Sequence, residues 1–324
     1  MKILCVGDLH IRSKNPENRI DDFKRTQFDK IKQALEFGRE NNCKLCIFPG
    51  DMWDNPYPSN ELMSEYISLF KEYCSPSGGD VRFEDDDYML ILTVLGQHDM
   101  TMRSLETYKK SPSYLLESAS VLTIVGVDRK PGFIDGVIGY AKEDIYGLAV
   151  VHGLSFGQDD SHINPVEGEF NILIAHASVG NTGFQNSSAI EFLTRYKKMD
   201  LIVVGDYHYP FHSSICDPKQ RHIINCGCIV RKTISKEDLE LKPSVAIFDT
   251  DIRSYQMMPL KIKKPEEVFY IPADAKIQNP AIIRFLESLR TEKALSADYM
   301  ENLNSYFDKA KTKKEVINYI GEKQ

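Results

Sequence analysis

KLCIFPGDMWD, Lys44 to Asp54, is the stretch that decides the fold. Leu45, Cys46, Ile47 and Phe48 form an apolar run with the length and composition of a buried strand. Pro49 and Gly50 stop it, and Asp51 and Asp54 follow at once. A strand thereby delivers carboxylates to one edge of a sheet. The same grammar recurs in ILCVGDLH (Ile3 to His10), LILTVLGQHD (Leu90 to Asp99), FNILIAHAS (Phe170 to Ser178) and DLIVVGDYH (Asp200 to His208). Each is a hydrophobic strand whose C-terminal end carries Asp or His.

Carboxylates gathered in a half-buried place repel one another and lose hydration, so the arrangement needs a counter-charge. A divalent metal supplies it. Asp oxygens mixed with His imidazoles suit manganese, zinc or iron better than calcium. Asp8 and His10 stand at i and i+2, on one face of an extended chain, where both reach a single ion. Asp51 is placed to bridge two ions.

DLH, GDMWD, GQHD, the lone His176 and GDYH, taken in order, resemble the five motifs of the calcineurin-like metallophosphoesterases: D-x-H, G-D-x-x-D, G-N-H-[DE], H and G-H-x-H. Any one motif is common by chance; five in order, each after a strand, are specific. Within that superfamily the chain is most similar to the DNA-repair nuclease branch, the SbcD-type exonucleases and phage recombination endonuclease subunits. The features are a first strand that begins at residue 2 without a leader, a long helix after DLH, and INCGCIVR (Ile224 to Arg231), similar to that branch's turn after the last motif. The resemblance spans residues 1 to 262. It implies an α/β fold, a four-layer αββα sandwich of two packed mixed β-sheets flanked by helices, with a small C-terminal α-rich appendage.

The resemblance also implies a ligand set. Asp8, His10, Asp51 and His208 hold one divalent ion, and Asp51, Gln97, His176 and Asp206 the second. This chain departs from the pattern twice: Gln97 stands for the family's Asn, and Asp206 for the first His of its last motif. Both replacements keep an oxygen donor, which makes the second site harder and favours manganese, or magnesium, over zinc. The implied activity is two-metal phosphodiester hydrolysis with no side-chain nucleophile. His98 is the catalytic acid, with Asp99 or Asp54 orienting it. Arg12, Arg103 and His212 are candidate substrate contacts; for Arg103 and His212 a plain surface or packing role is the competing reading.

The chain has 324 residues and is 42% hydrophobic, enough for one large core with an appendage. It has no apolar stretch of about 18 residues, so the expectation is a soluble, intracellular protein, cytoplasmic in a cell or in a phage host, without membrane contact. Seven cysteines, an odd number, argue against a disulfide framework, and Cys43-x-x-Cys46 lacks a partner knuckle for zinc. The formal net charge of −7 excludes a protein that coats DNA by charge alone.

Along the chain, a helix from about Asp21 to Asn42 completes a βαβ unit with parallel strands. Asn60 to Tyr73 reads as a second helix, 75 to 87 as an acidic loop, and Met100 to Leu116 as loop then short helix. Short strands from Val121 to Gly157 read as antiparallel, belonging to a second sheet. Ala189 to Lys198 is helical. The strands after Ser244 form a hairpin closing the second sheet. Gly153 to Gly157 matches G-x-S-x-G, the nucleophile elbow of serine hydrolases, but no helix pattern follows, as that motif requires.

Residues 1–262 are thus read as the catalytic domain and 263–324 as a helical capping or partner-binding segment. The latter holds a β-type run (Val268 to Ile271) and amphipathic stretches at 280–289, 297–310 and 313–319, too short to fold alone. By the resemblance they dock on the coiled coil of an SMC-like ABC ATPase of the SbcC type; a homodimer is the other admitted assembly. No P-loop is present, so a partner must supply any ATP site. The leading function is a DNA exo- or endonuclease subunit of a recombination and repair complex. The alternatives are a stand-alone phosphatase or cyclic-nucleotide phosphodiesterase, and a scaffold that has lost its metal.

Overall fold

In the computed structural model the described residues are 1–73, 89–127, 137–142, 145–180 and 187–271. The chain divides into two compact units, Met1–Tyr270 and Ile271–Gln324. The expected C-terminal helices and the acidic loop 75–87 lie outside the described residues.

The first unit opens with β1 (Lys2–Cys5), α1 (Phe23–Glu40), β2 (Cys43–Phe48), α2 (Asn60–Lys71) and β3 (Leu90–Thr93). Asp22 caps α1 by accepting from the Arg25 N–H, and Ser59 caps α2 by accepting from Leu62 N–H. The three strands are parallel, as two strand–helix–strand crossovers require. Two 3₁₀ turns, Thr101–Arg103 and Leu105–Lys110, lead to α3 (Pro112–Ser118) and β4 (Thr123–Ile124). β4 departs from expectation: it extends this first sheet, parallel to β3, with Val125 N–H donating to Thr93 O at 2.8 Å. Two residues carry no pattern that could reveal their partner.

β5 (Val137–Lys142) and β6 (Ile145–Leu154) form the expected antiparallel pair, but β6 then runs parallel to β7 (Phe170–His176). β8 (Val179–Gly180) and β9 (Ser187–Ser188) form a small ribbon, and α4 (Ala189–Arg195) starts at a Ser188–Glu191 capping box. β10 (Leu201–Gly205), β11 (Phe211–Ile215), β12 (Arg221–Asn225), α5 (Lys236–Glu240), β13 (Ser244–Asp249), β14 (Ser254–Pro259) and α6 (Pro265–Val268) complete the unit. The sheets have the orders β14-β13-β1-β2-β3-β4 and β11-β12-β10-β7-β6-β5. The β13–β14 hairpin therefore sits on the first sheet, not the second, because β13 pairs antiparallel with β1, Ile3 opposite Phe248. The run Val268 to Ile271 is not a strand: Pro265 starts a helical turn, and a single bridge joins Phe269 to Arg19.

Alternation along the strands builds the layers. Ile3, Cys5, Leu45 and Ile47 meet Ile172, Ile174, Leu201 and Val203 in a core between the sheets. Leu4, Cys46 and Phe48 face the other way, onto Phe23, Leu35, Tyr66 and Phe70 of α1 and α2. On the far side, Leu173, Ile202 and Val204 pack on Phe192 and Leu193 of α4. The result is an αββα sandwich of two mixed sheets. Cys43 and Cys46 are free and buried in its core. Among the described residues no helix is long and apolar enough to cross a membrane.

Candidate metal centre

The ends of β1, β2, β3, β7 and β10 converge, and main-chain bonds lace the loops that follow them. His10 N–H donates to Asp51 O at 2.9 Å, Asp8 N–H to Gly227 O at 3.1 Å, and Cys228 N–H to His208 O at 2.8 Å. Gln27 of α1 holds the carbonyl of His10 at 2.8 Å. Three residues of the cluster adopt left-handed backbone, His10 (φ 47°), Asp51 (φ 45°) and Asp206 (φ 80°), a conformation non-glycine residues keep only where surroundings enforce it. The glycines beside them are there for space: a Cβ on Gly96 would collide with Asp51 Oδ1, and one on Gly205 with Asp8 Oδ1.

Two groups of side chains have their ligand atoms within 4.8 Å of one another: Asp8, His10 and His208, and His10, Asp51 and His98. His10 Nε2 and His208 Nε2 lie 3.0 Å apart, and His208 Nε2 is 3.7 Å from Asp8 Oδ2. Asp51 Oδ2 stands between His10 Nε2 at 3.8 Å and His176 Nε2 at 3.5 Å. That is the position of a bridging carboxylate. His176 Nε2 is also 3.8 Å from Asp206 Oδ1. Gln97 Nε2 donates to Asp206 Oδ1 at 2.9 Å, so the two residues that depart from the family pattern pair with each other.

Whether a metal fits can be judged from atoms left without partners. Asp8 Oδ1, Asp51 Oδ2, Gln97 Oε1 and His176 Nε2 are buried and accept or donate no hydrogen bond, a costly state that a cation among them relieves. The charges agree. Burial pushes the Asp8 carboxyl up to about 7. Burial opposes ionisation of Asp51 as well, but the neighbouring His176 and His10 outweigh it and hold its carboxyl below the usual range. Burial pulls His176 down, and the Asp51 charge overcomes it, leaving the imidazole at about 10. Burial, then the Lys232 charge, lowers His10 and brings His208 to about 4, so both are neutral donors at neutral pH. His176 Nδ1 donates to the Pro49 carbonyl at 2.8 Å, which orients the ring and aims Nε2 at the cluster.

His98 is half-buried, its ring 5.1 Å from that of His10. Its N–H donates to Asp51 Oδ1 at 2.9 Å. Its Nδ1 lies 3.0 Å from the main-chain carbonyl of Asp54; a carbonyl only accepts, so Nδ1 carries the proton and Nε2 is the ring nitrogen left for a ligand or substrate. The orienting group is thus a backbone oxygen rather than either expected carboxylate. Asp99, fully buried, accepts from Trp53 N–H at 3.0 Å and Gly96 N–H at 2.9 Å and ties the two loops together. Burial and the Asp51 charge raise its carboxyl to about 7. The Asp54 carboxylate pairs with Arg12 at 3.3 Å, which places Arg12 at the rim of the cluster.

Two expected substrate contacts make no bond to the cluster residues. Arg103 is exposed in the 3₁₀ turn after Asp99, and His212 is an exposed residue of β11 whose ring packs on Tyr255 at 4.9 Å. One unforeseen residue does bear on them. Lys232, just beyond the INCGCIVR segment, acts electrostatically on Asp8, His10 and His208. Asn225 positions its loop: Asn225 Nδ2 donates to Tyr207 O at 2.7 Å and Asn225 Oδ1 accepts from Gly227 N–H at 2.6 Å. Asp238 Oδ2 then takes the N–H groups of Lys232 and Thr233. The adjacent cations in VRK were the only local signal.

The sequence signature described as calcineurin-like phosphoesterase matches residues 1–210. No curated protein sequence matches the chain. Among solved structures, a hypothetical protein from Thermus thermophilus aligns with a TM-score of 0.41 at 12% identity, over 82% of this chain and 100% of that one.

Proposed function

The chain belongs to the calcineurin-like phosphoesterases, metal-dependent hydrolases of phosphoester bonds, and on that premise we propose that it is a two-metal nuclease, a DNA exo- or endonuclease subunit acting with an SMC-like ABC ATPase. The observation that carries the chemistry is the convergence of orphaned, buried ligand atoms beside a histidine whose Nδ1 is held by a main-chain carbonyl. Asp8, His10, Asp51 and His208 would hold one divalent cation, and Asp51, Gln97, His176 and Asp206 the other; the oxygen-rich second set suits manganese, or magnesium. Bound there, the metals supply positive charge and lower the pKa of water for attack on phosphorus.

The chain's own residues do the rest. The Asp54 carbonyl keeps a proton on His98 Nδ1, so Nε2 is the ring atom open to proton exchange. The doubly protonated imidazolium is the form that gives its Nε2 proton to the leaving oxygen and returns to the Nδ1–H tautomer. Arg12 and Lys232 place fixed positive charge at the rim, where a phosphodiester enters. The choice of DNA rests on the five ordered motifs with the INCGCIVR segment, and the ATPase partner on the amphipathic pattern of 280–319. An intracellular location follows from that reading.

The test is cleavage of end-labelled single- and double-stranded DNA by the purified protein with manganese, magnesium or chelator, beside His98→Ala. Manganese-dependent cleavage lost in the variant is expected. Hydrolysis of a small phosphodiester or monoester with DNA left intact would replace the nuclease by a stand-alone phosphodiesterase or phosphatase.

A further inference from the structure

A cleft of about 480 Å³ runs along α1, walled by Arg231 and by the segment Lys261–Lys263. Seven of its lining side chains are cations and three are carboxylates, an excess that needs an explanation in a chain of net charge −7. Part of the charge is already matched: Arg25 pairs with Asp29 at 2.8 Å, and Arg19 grips Asp21 with two bonds of 2.7 Å. Among the described residues the deepest cations make no direct ion pair, although Asp21, Asp238 and Glu266 act on Arg231 from a distance. Lys30 and Arg231, 8% and 5% exposed, donate to neutral carbonyls, Lys30 Nζ to Lys261 O at 2.6 Å and Arg231 to Leu239 and Lys263. Burial, with Arg231 and Arg19 nearby, holds the Lys30 ammonium down to about 8. Cations crowded out of water in this way are costly unless an anion joins them.

Two elements that line the cleft, α1 and the segment at Arg231, also carry residues that act on the metal centre. Arg231 and Lys232 are consecutive; one lines the cleft and the other acts on Asp8, His10 and His208. Gln27, which holds the His10 carbonyl, stands one turn before Lys30 on α1.

We propose that this cleft is a non-catalytic phosphate track that seats the sugar–phosphate backbone of a nucleic-acid strand whose scissile phosphodiester lies at the metal centre. For the event at the centre the proposal rests on the nuclease reading. Phosphate contacts of this kind add affinity and salt dependence without base preference.

The experiment uses the full chain with Lys261→Glu and Lys263→Glu combined, both exposed positions, folding being checked by circular dichroism. Binding of a fluorescein-labelled oligothymidylate is followed by anisotropy in chelator across a salt series. The variant should bind at least about tenfold more weakly, with a salt slope shallower by roughly 0.7 per lysine. With metal, its KM for the oligonucleotide should rise while kcat, and hydrolysis of bis(p-nitrophenyl) phosphate, stay as in wild type. Unchanged binding and slope, or a wild type that does not bind at low salt, would overturn the track. If wild type hydrolyses the small diester but leaves the oligonucleotide uncut, the nuclease reading fails, while lysine-dependent binding still upholds the track and lysine-independent binding ends it.

Discussion

One half of the candidate metal centre is gathered for a cation and the other is bonded within itself. Asp8, His10 and His208 have ligand atoms within 4.8 Å of one another, and the two imidazoles are neutral donors at neutral pH. Across Asp51, His176 holds a proton up to about 10 and Asp206 already accepts from Gln97. The first half is ready for a cation once Asp8 ionises near pH 7; the second must release a proton that His176 holds to about 10. Both departures from the family pattern fall in this second half, and they bond each other, so Gln97 and Asp206 act as a matched pair.

Breaking the shared member should have the largest effect. Asp51→Ala removes the carboxylate between the halves, and metal content by elemental analysis should fall at both, with phosphodiesterase activity down by more than the roughly hundredfold that a supporting partner of a ligand costs. Retention of two metals would end its bridging role. Next, His98→Ala should leave metal content intact while activity drops about 10²- to 10⁴-fold, the usual worth of a positioned acid; loss of metal instead would make His98 a ligand.

The halves should also separate on a pH axis. Protons and cations compete for the same atoms. Above about pH 7 Asp8 is ionised, so affinity in the first half levels off. Because His176 stays protonated to about pH 10, affinity in the second half should keep climbing about tenfold per unit, with release of one proton per cation in calorimetry. Parallel curves would erase the distinction. The smallest effect is expected from Gln97→Asn with Asp206→His: the added imidazole should move preference at the second half from manganese toward zinc. Each single change should do worse than the pair, since it breaks the Gln97–Asp206 bond alone.

Much of this was legible in the sequence. The first three strands and two helices follow from periodicity ended by Pro, Gly and capping residues, and the spacing of Asp8 and His10 already puts both at one strand end. What sequence hid was pairing over distance. β4 is two residues long, and β13 could serve either sheet until its register with β1 is known. Lys232 escaped for the same reason: its action on His208 depends on the turn that Asn225 pins, and the adjacent Arg231 is only a weak sign of it. His98 misled more subtly, because a main-chain carbonyl orients it and such groups have no letter in the sequence.

The left-handed backbone at His10, Asp51 and Asp206 orders events on warming. Each such residue stores of order 1–3 kcal/mol that is returned once its loop lets go, whereas the strands beneath are relaxed and buried. The rim should therefore open while both sheets persist, and cation release should precede global melting as a separate, earlier transition. Inactivation by mild heat would then be reversible on cooling with metal present, the sandwich acting as a template on which the ligands reassemble.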